Sequence, residues 1–68
     1  MNVLVNGEPR ELSAGTTVAE LISLLPGAPD GRGVAVAVDG EVVPRGGWGA
    51  AELREGASVE VVVAVQGG

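Results

Sequence analysis

Residues 59–65 read Val-Glu-Val-Val-Val-Ala-Val, a near-continuous apolar run that ends at Gln66. Valine is β-branched and suits a pleated, well-packed surface, so this run reads as the core of a strand spanning Ser58 to Val65. A strand with so few polar positions suits the best-buried place in a sheet. It belongs in the interior of a sheet, and the rest of the chain must supply neighbours on either side.

The chain has 68 residues, enough for one small domain near the lower limit for a self-supporting core. Hydrophobic residues make up 46% of it, and Trp48 is the one aromatic, so the core must be built from small aliphatic side chains. Cysteine, histidine, lysine and tyrosine are absent. That excludes disulfides, thiolate nucleophiles, histidine bases and the commonest metal ligands, so the chain is expected not to be an enzyme and to hold no metal. The formal charge of -5 disfavours nucleic acid and anionic membrane surfaces as partners. Met1-Asn2-Val3-Leu4 carries neither a basic leader nor a long apolar segment, which makes the cytoplasm the expected compartment.

Met1 to Val5 reads as a first strand, Asn6-Gly7 as a tight turn, and Arg10 to Leu12 as a short return strand. Thr17-Val18-Ala19-Glu20 matches a helix capping box. Val18, Leu21, Ile22 and Leu25 follow at helical spacing, and Pro26-Gly27 stops the helix before a polar loop over 27–33. Val34 to Val38 alternates large and small residues as a strand, Asp39-Gly40 turns the chain, and Glu41 to Val43 returns. Pro44 to Ala51 reads as irregular. Within it Trp48 is either a core plug with its indole N–H on a carbonyl or part of a docking surface, the plug being favoured. Leu53 to Gly56 makes a loose turn before the last strand.

The order β-β-α-β-β-β places the chain in the α+β class. One helix must cover one face of a mixed sheet of four or five strands, because neither layer can bury its apolar face alone. Pairing the first and last strands in parallel at the centre satisfies the crossover rules. That arrangement is a β-grasp, spanning 1–68 as a single domain. If Val59, Val61 and Val63 face the helix with Val3, Val5, Val36 and Val38, then Leu4, Ala35, Ala37, Val62 and Ala64 face away. These form a small apolar outer patch suited to docking a protein partner.

Past the last strand lies Gln66-Gly67-Gly68, read as a flexible tail over 66–68. Glycine has no Cβ, so such a tail can thread a narrow active site and present a terminal carboxylate. The glycine-rich stretches Gly31-Arg32-Gly33 and Gly46-Gly47-Trp48-Gly49 match neither phosphate-binding pattern and read as loops. Asp39 and Glu41 are too few for a calcium loop, and no serine has a histidine to activate it.

Taken in order, Asn6-Gly7-Glu8-Pro9, Gly15-Thr16-Thr17-Val18-Ala19-Glu20-Leu21, Val36 to Glu41, Val43-Pro44-Arg45 with Trp48, Leu53 to Gly56 and Ala64 to Gly68 resemble the thiamine-biosynthesis sulfur carriers, the ThiS family of ubiquitin-like β-grasp proteins. The similarity runs from end to end without a gap. It implies a carrier rather than a catalyst. A partner adenylating enzyme consumes ATP to activate the Gly68 carboxylate, with Gly67 and Gln66 threading its site. Sulfur from a donor such as a cysteine desulfurase then gives a thiocarboxylate, which thiazole synthase accepts; no cofactor is bound by the carrier itself. Sister carriers serving molybdopterin, cysteine or another sulfur-containing metabolite share the fold. A ubiquitin-like protein modifier and a binding module with an incidental diglycine are further alternatives.

Overall fold

The first hairpin forms where an Asn-Gly pair favours it. In the computed structural model, which describes residues 1–26 and 33–64, β1 (Asn2–Val5) and β2 (Glu8–Glu11) pair antiparallel with Val5 opposite Glu8. Asn6 and Gly7 have φ of 51° and 82°. Positive φ at both central residues matches the right-handed twist of the strands. This two-residue turn starts the return strand at Glu8 rather than at the expected Arg10. Pro9 sits inside β2 without cost. Met1 and Leu12 exchange two hydrogen bonds of 2.7 and 2.8 Å. Alternation then makes Leu4–Pro9 a non-bonded pair, so the nitrogen of Pro9 faces the open edge.

A second Asx-Gly turn, Asp39-Gly40 with φ of 50° and 82°, joins β3 (Val34–Val38) to β4 (Glu41–Val43). The Val-rich segment forms β5 (Ser58–Val63). It lies in the middle of a five-stranded sheet of order β2-β1-β5-β3-β4, parallel to β1 and antiparallel to β3. The expected β-grasp topology is present, with the Val-rich strand at its centre. The loop expected over 27–33 falls almost wholly outside the described residues, as does the tail over 66–68.

The turns also reach sideways. Asn6 N–H donates to the Val59 carbonyl at 2.8 Å. Its side chain then receives the Val61 N–H on Oδ1 at 2.8 Å and donates from Nδ2 to the Val61 carbonyl at 3.1 Å. A side-chain amide thus stands in for the next stretch of β1, after the main chain has turned away. On the other flank Asp39 N–H donates to the Ser58 carbonyl at 2.8 Å, and Asp39 Oδ1 accepts from Ser58 N–H at 2.9 Å.

α1 (Val18–Leu24) starts at the capping box: Thr17 Oγ1 accepts from Glu20 N–H at 3.2 Å, and Glu20 Oε1 accepts from Thr17 N–H at 3.1 Å. Val18, Leu21 and Ile22 are buried in one cluster with Val3, Val5, Val36, Val59 and Val61. The helix is shorter than its apolar stripe, and Leu25 is the half-buried C-cap. Seven residues of helix span about 10 Å against about 20 Å for six residues of strand. Val63 therefore projects past the cover that α1 provides and is 44% exposed, although it shares a face with Val59 and Val61.

The segment read as irregular is ordered as a 3-10 helix, Arg45–Ala50. Its glycines have poor helical propensity, and a tertiary contact overrides it. Trp48 is 6% exposed and donates from Nε1 to the Val43 carbonyl at 2.9 Å, closing the turn with a core plug.

Two substitutions test these local arguments. Thr17→Ala removes the cap acceptor and should cost about 0.5–2 kcal/mol in chemical denaturation. Asn6→Asp replaces the Nδ2 donor by a carboxylate oxygen facing the Val61 carbonyl. It should destabilise the fold at neutral pH by more than in acid, since the protonated acid can donate again. The repulsion raises the folded-state pKa of the new carboxyl, so the protonated form's stability is lost as pH rises through it.

Candidate functional site

β5 runs through the centre of the sheet and fixes where the chain leaves it. The main chain is held as far as Ala64, whose N–H donates to the Gly33 carbonyl at 2.7 Å. Gln66, Gly67 and Gly68 lie outside the described residues. In sequence, Gly68 follows Ala64 by four residues.

The five residues expected on the outer face take the following places. Val62 is 64% exposed and pairs with exposed Ala35. Ala64, also exposed, follows Val62 along the same strand. Leu4 is 40% exposed, while Ala37 is half-buried. The patch is not continuous. Ala37 pairs with Glu60, and Leu4 pairs with Ser58, four residues from Val62 on β5. That separation is about 13 Å along the strand. Ser58 and exposed Glu60 on β5 therefore separate Leu4 on β1 from a lobe of Val62, Ala35, Ala37 and Ala64 near the strand end.

Each of the two lobes gains one residue not anticipated. Val42, 71% exposed, stands opposite Ala37 on β4, and Pro9 stands opposite Leu4 on β2. Val42 was legible in principle. A two-residue turn at Asp39-Gly40 fixes Val38 opposite Glu41 and hence Ala37 opposite Val42. Pro9 was hidden by starting β2 two residues late. Trp48 takes the core role and leaves no large aromatic for docking. No helix among the described residues is long and apolar enough to cross a membrane.

The architecture is that of a β-grasp domain whose central strand is followed in sequence, after three intervening residues, by a diglycine. Comparison with known proteins gives the same class. The family model described as the ThiS family matches residues 3–68. A crystal structure of the thiamine biosynthesis protein ThiS from Geobacter metallireducens superimposes with a TM-score of 0.82 at 34% identity, covering 100% of both chains. A solution structure of a thiamine biosynthesis protein from the same organism gives 0.75 at 32% identity, covering 100% of this chain and 88% of that one. Two curated relatives are named thiazole synthase. The protein from Magnetococcus marinus is 43% identical and that from Paramagnetospirillum magneticum 35% identical over 68 residues. The chain spans 20% of the length of each of these two. The chain belongs to the ThiS family.

The face assignment is testable without any partner. Val62→Glu places a charge on an exposed position and should change stability by less than about 0.5 kcal/mol. Val61→Glu, one residue away and 9% exposed, should unfold the domain. Melting curves of the pair read out both outcomes; a larger loss at Val62 than at Val61 would show the two faces to be inverted.

Proposed function

We propose that this chain is a sulfur carrier for assembly of the thiamine thiazole, with sulfur borne as a thiocarboxylate on Gly68. The observation that carries the proposal is the end-to-end ThiS family match over 3–68, which includes the diglycine. A Gly68 carboxylate oxygen attacks the α-phosphorus of ATP in a partner adenylating enzyme, and pyrophosphate leaves. The terminal sulfur of a persulfide, charged by a donor such as a cysteine desulfurase, displaces AMP from the acyl carbon. A thiol then takes up the inner persulfide sulfur as a disulfide and frees the thiocarboxylate. The chain consumes no cofactor of its own; the ATP belongs to the partner.

The carrier contributes presentation rather than catalysis. Glycine gives the acyl carbon no side chain to hinder attack. With no cysteine, histidine or lysine in the sequence, few internal nucleophiles compete for the activated end. The thiamine reading is favoured over other sulfur products by the two relatives named thiazole synthase. A segment like this chain forms part of each of those longer proteins, which supports a thiazole synthase as the acceptor. The outer face, above all Val62 with Ala35 and Ala64, is the proposed grip for the adenylating enzyme and then for the acceptor. Glu60 between the lobes calls for a basic group on the partner, because burying it unpaired would oppose binding.

The test is reconstitution of the protein ending at Gly68 with ATP, a sulfur donor and an adenylating enzyme, read by intact mass. The expected product gains the mass difference between sulfur and oxygen. Deleting Gly68 should leave the melting curve unchanged, since it lies past the last apolar residue of the chain in sequence, and abolish that gain. Val62→Glu should weaken binding of the adenylating enzyme by more than about 1 kcal/mol while the fold persists. Normal activation of the Gly68-deleted protein would overturn the proposal.

A further inference from the structure

Arg10 lies on the edge strand β2 opposite Val3, and its side chain is half-buried on the helix side of the sheet. Its Nη1 is buried, with no hydrogen-bond acceptor. It is the one such side-chain atom among the described residues. Guanidinium stays charged at every relevant pH, so this group cannot escape its dry setting by losing a proton. A cation solvated on one side only attracts an anion more strongly than a fully hydrated one does.

That side chain lines a cleft of about 470 Å³ whose other walls include Glu8, Leu25, Pro26, Val61 and Val63. We propose that this cleft is a docking point for an acidic side chain of a protein partner, with the open edge of the Arg10 guanidinium as its counter-ion. A carboxylate matches the planar fork of donors, and the apolar walls suit the methylene stem that carries it. Glu8 at the rim and the net charge of -5 oppose a dianion such as phosphate. Val63 is the last residue of β5, so the cleft opens where the chain leaves the sheet toward Gly68. A protein that docks at the end of β5 meets this cleft beside Val63, which brings its own side chains within reach of Arg10. The docking point adds a second grip to the carrier proposed above, on the face opposite Val62, and its test does not use sulfur transfer.

Isotope-labelled protein is titrated with N-acetylglutamate amide, with N-acetylglutamine amide and with inorganic phosphate, following Arg10 Nε–H and the amides of Val61 and Val63 by NMR. The glutamate probe should give saturable shifts at all three, with an affinity at least about tenfold above the neutral probe. Arg10→Met should abolish the response while raising the melting temperature, since it keeps the stem and removes the half-dry charge. Equal responses to the glutamate and glutamine probes, or no saturable response to either, overturn the proposal. So does stronger binding of phosphate, which would mark a site for another class of anion. The probe comparison on the unaltered chain decides the matter even where Arg10→Met fails to fold. Loss of sulfur loading in reconstitution would instead count against the carrier reading alone.

Discussion

The double clamp on β5 is the interaction on which the rest of the structure depends. β5 is the central strand, and both of its edges need partners along their length. β1 serves one edge only as far as Val5, where the chain must turn back into β2. Asn6 resolves that conflict by turning with its main chain and continuing the ladder with its side chain, so both polar groups of Val61 are satisfied. Asp39 does the corresponding work on the other flank at Ser58. Each residue is the first member of an Asx-Gly turn in left-handed conformation, and together they hold β5 near both of its ends. The same side-chain type solves the turn and the strand beside it.

This explains which parts of the fold were legible in the sequence. Turn, cap and alternation are short-range patterns, and Asn6-Gly7, Asp39-Gly40, the Thr17–Glu20 box and the Val34–Val38 alternation all took the forms their local chemistry dictates. The parallel pairing of the first and last strands at the centre followed from crossover rules applied to those elements. The clamps were not legible, because the Asn6–Val61 contact joins residues 55 apart in sequence and exists only once β5 has docked. The 3-10 helix was missed for a related reason. Its glycines argue against any helix, and the Trp48 bond to Val43 that orders it depends on burying the indole. Of the candidate site, the facing of Leu4, Ala35 and Val62 followed from period-two alternation. The division of the face by Glu60 required the β3–β5 register, which alternation alone does not supply.

The division of labour along β5 follows from what each part must not do. Its inner residues, Val59 and Val61, anchor the core and cannot be offered to a partner without unfolding so small a domain. Its outer residues are free of that duty, and Val62 and Ala64 leave apolar surface exposed near the end of the strand. Charged Glu60 limits how large that surface becomes. An unbroken apolar stripe from Leu4 to Val62 on a five-stranded sheet would invite self-association, and one carboxylate between the lobes opposes it while leaving each lobe available.

Val62 and Val63 carry this reasoning to its last step. They are consecutive, so the strand pleat sends them to opposite faces, and both are exposed for different reasons. Val62 faces away from the helix; Val63 faces the helix side but lies beyond the reach of α1. The end of β5 is therefore uncovered on both faces, one leading onto the outer lobe and the other into the Arg10 cleft. Lengthening α1 by a turn to cover Val63 would add burial but would also fill the corner beside Val63. A short helix leaves the strand end open, and the Asn6 clamp on Val61 holds that open end in place without needing cover. Rigidity next to the tail is thus obtained from hydrogen bonds within the sheet plane, which leaves both faces free.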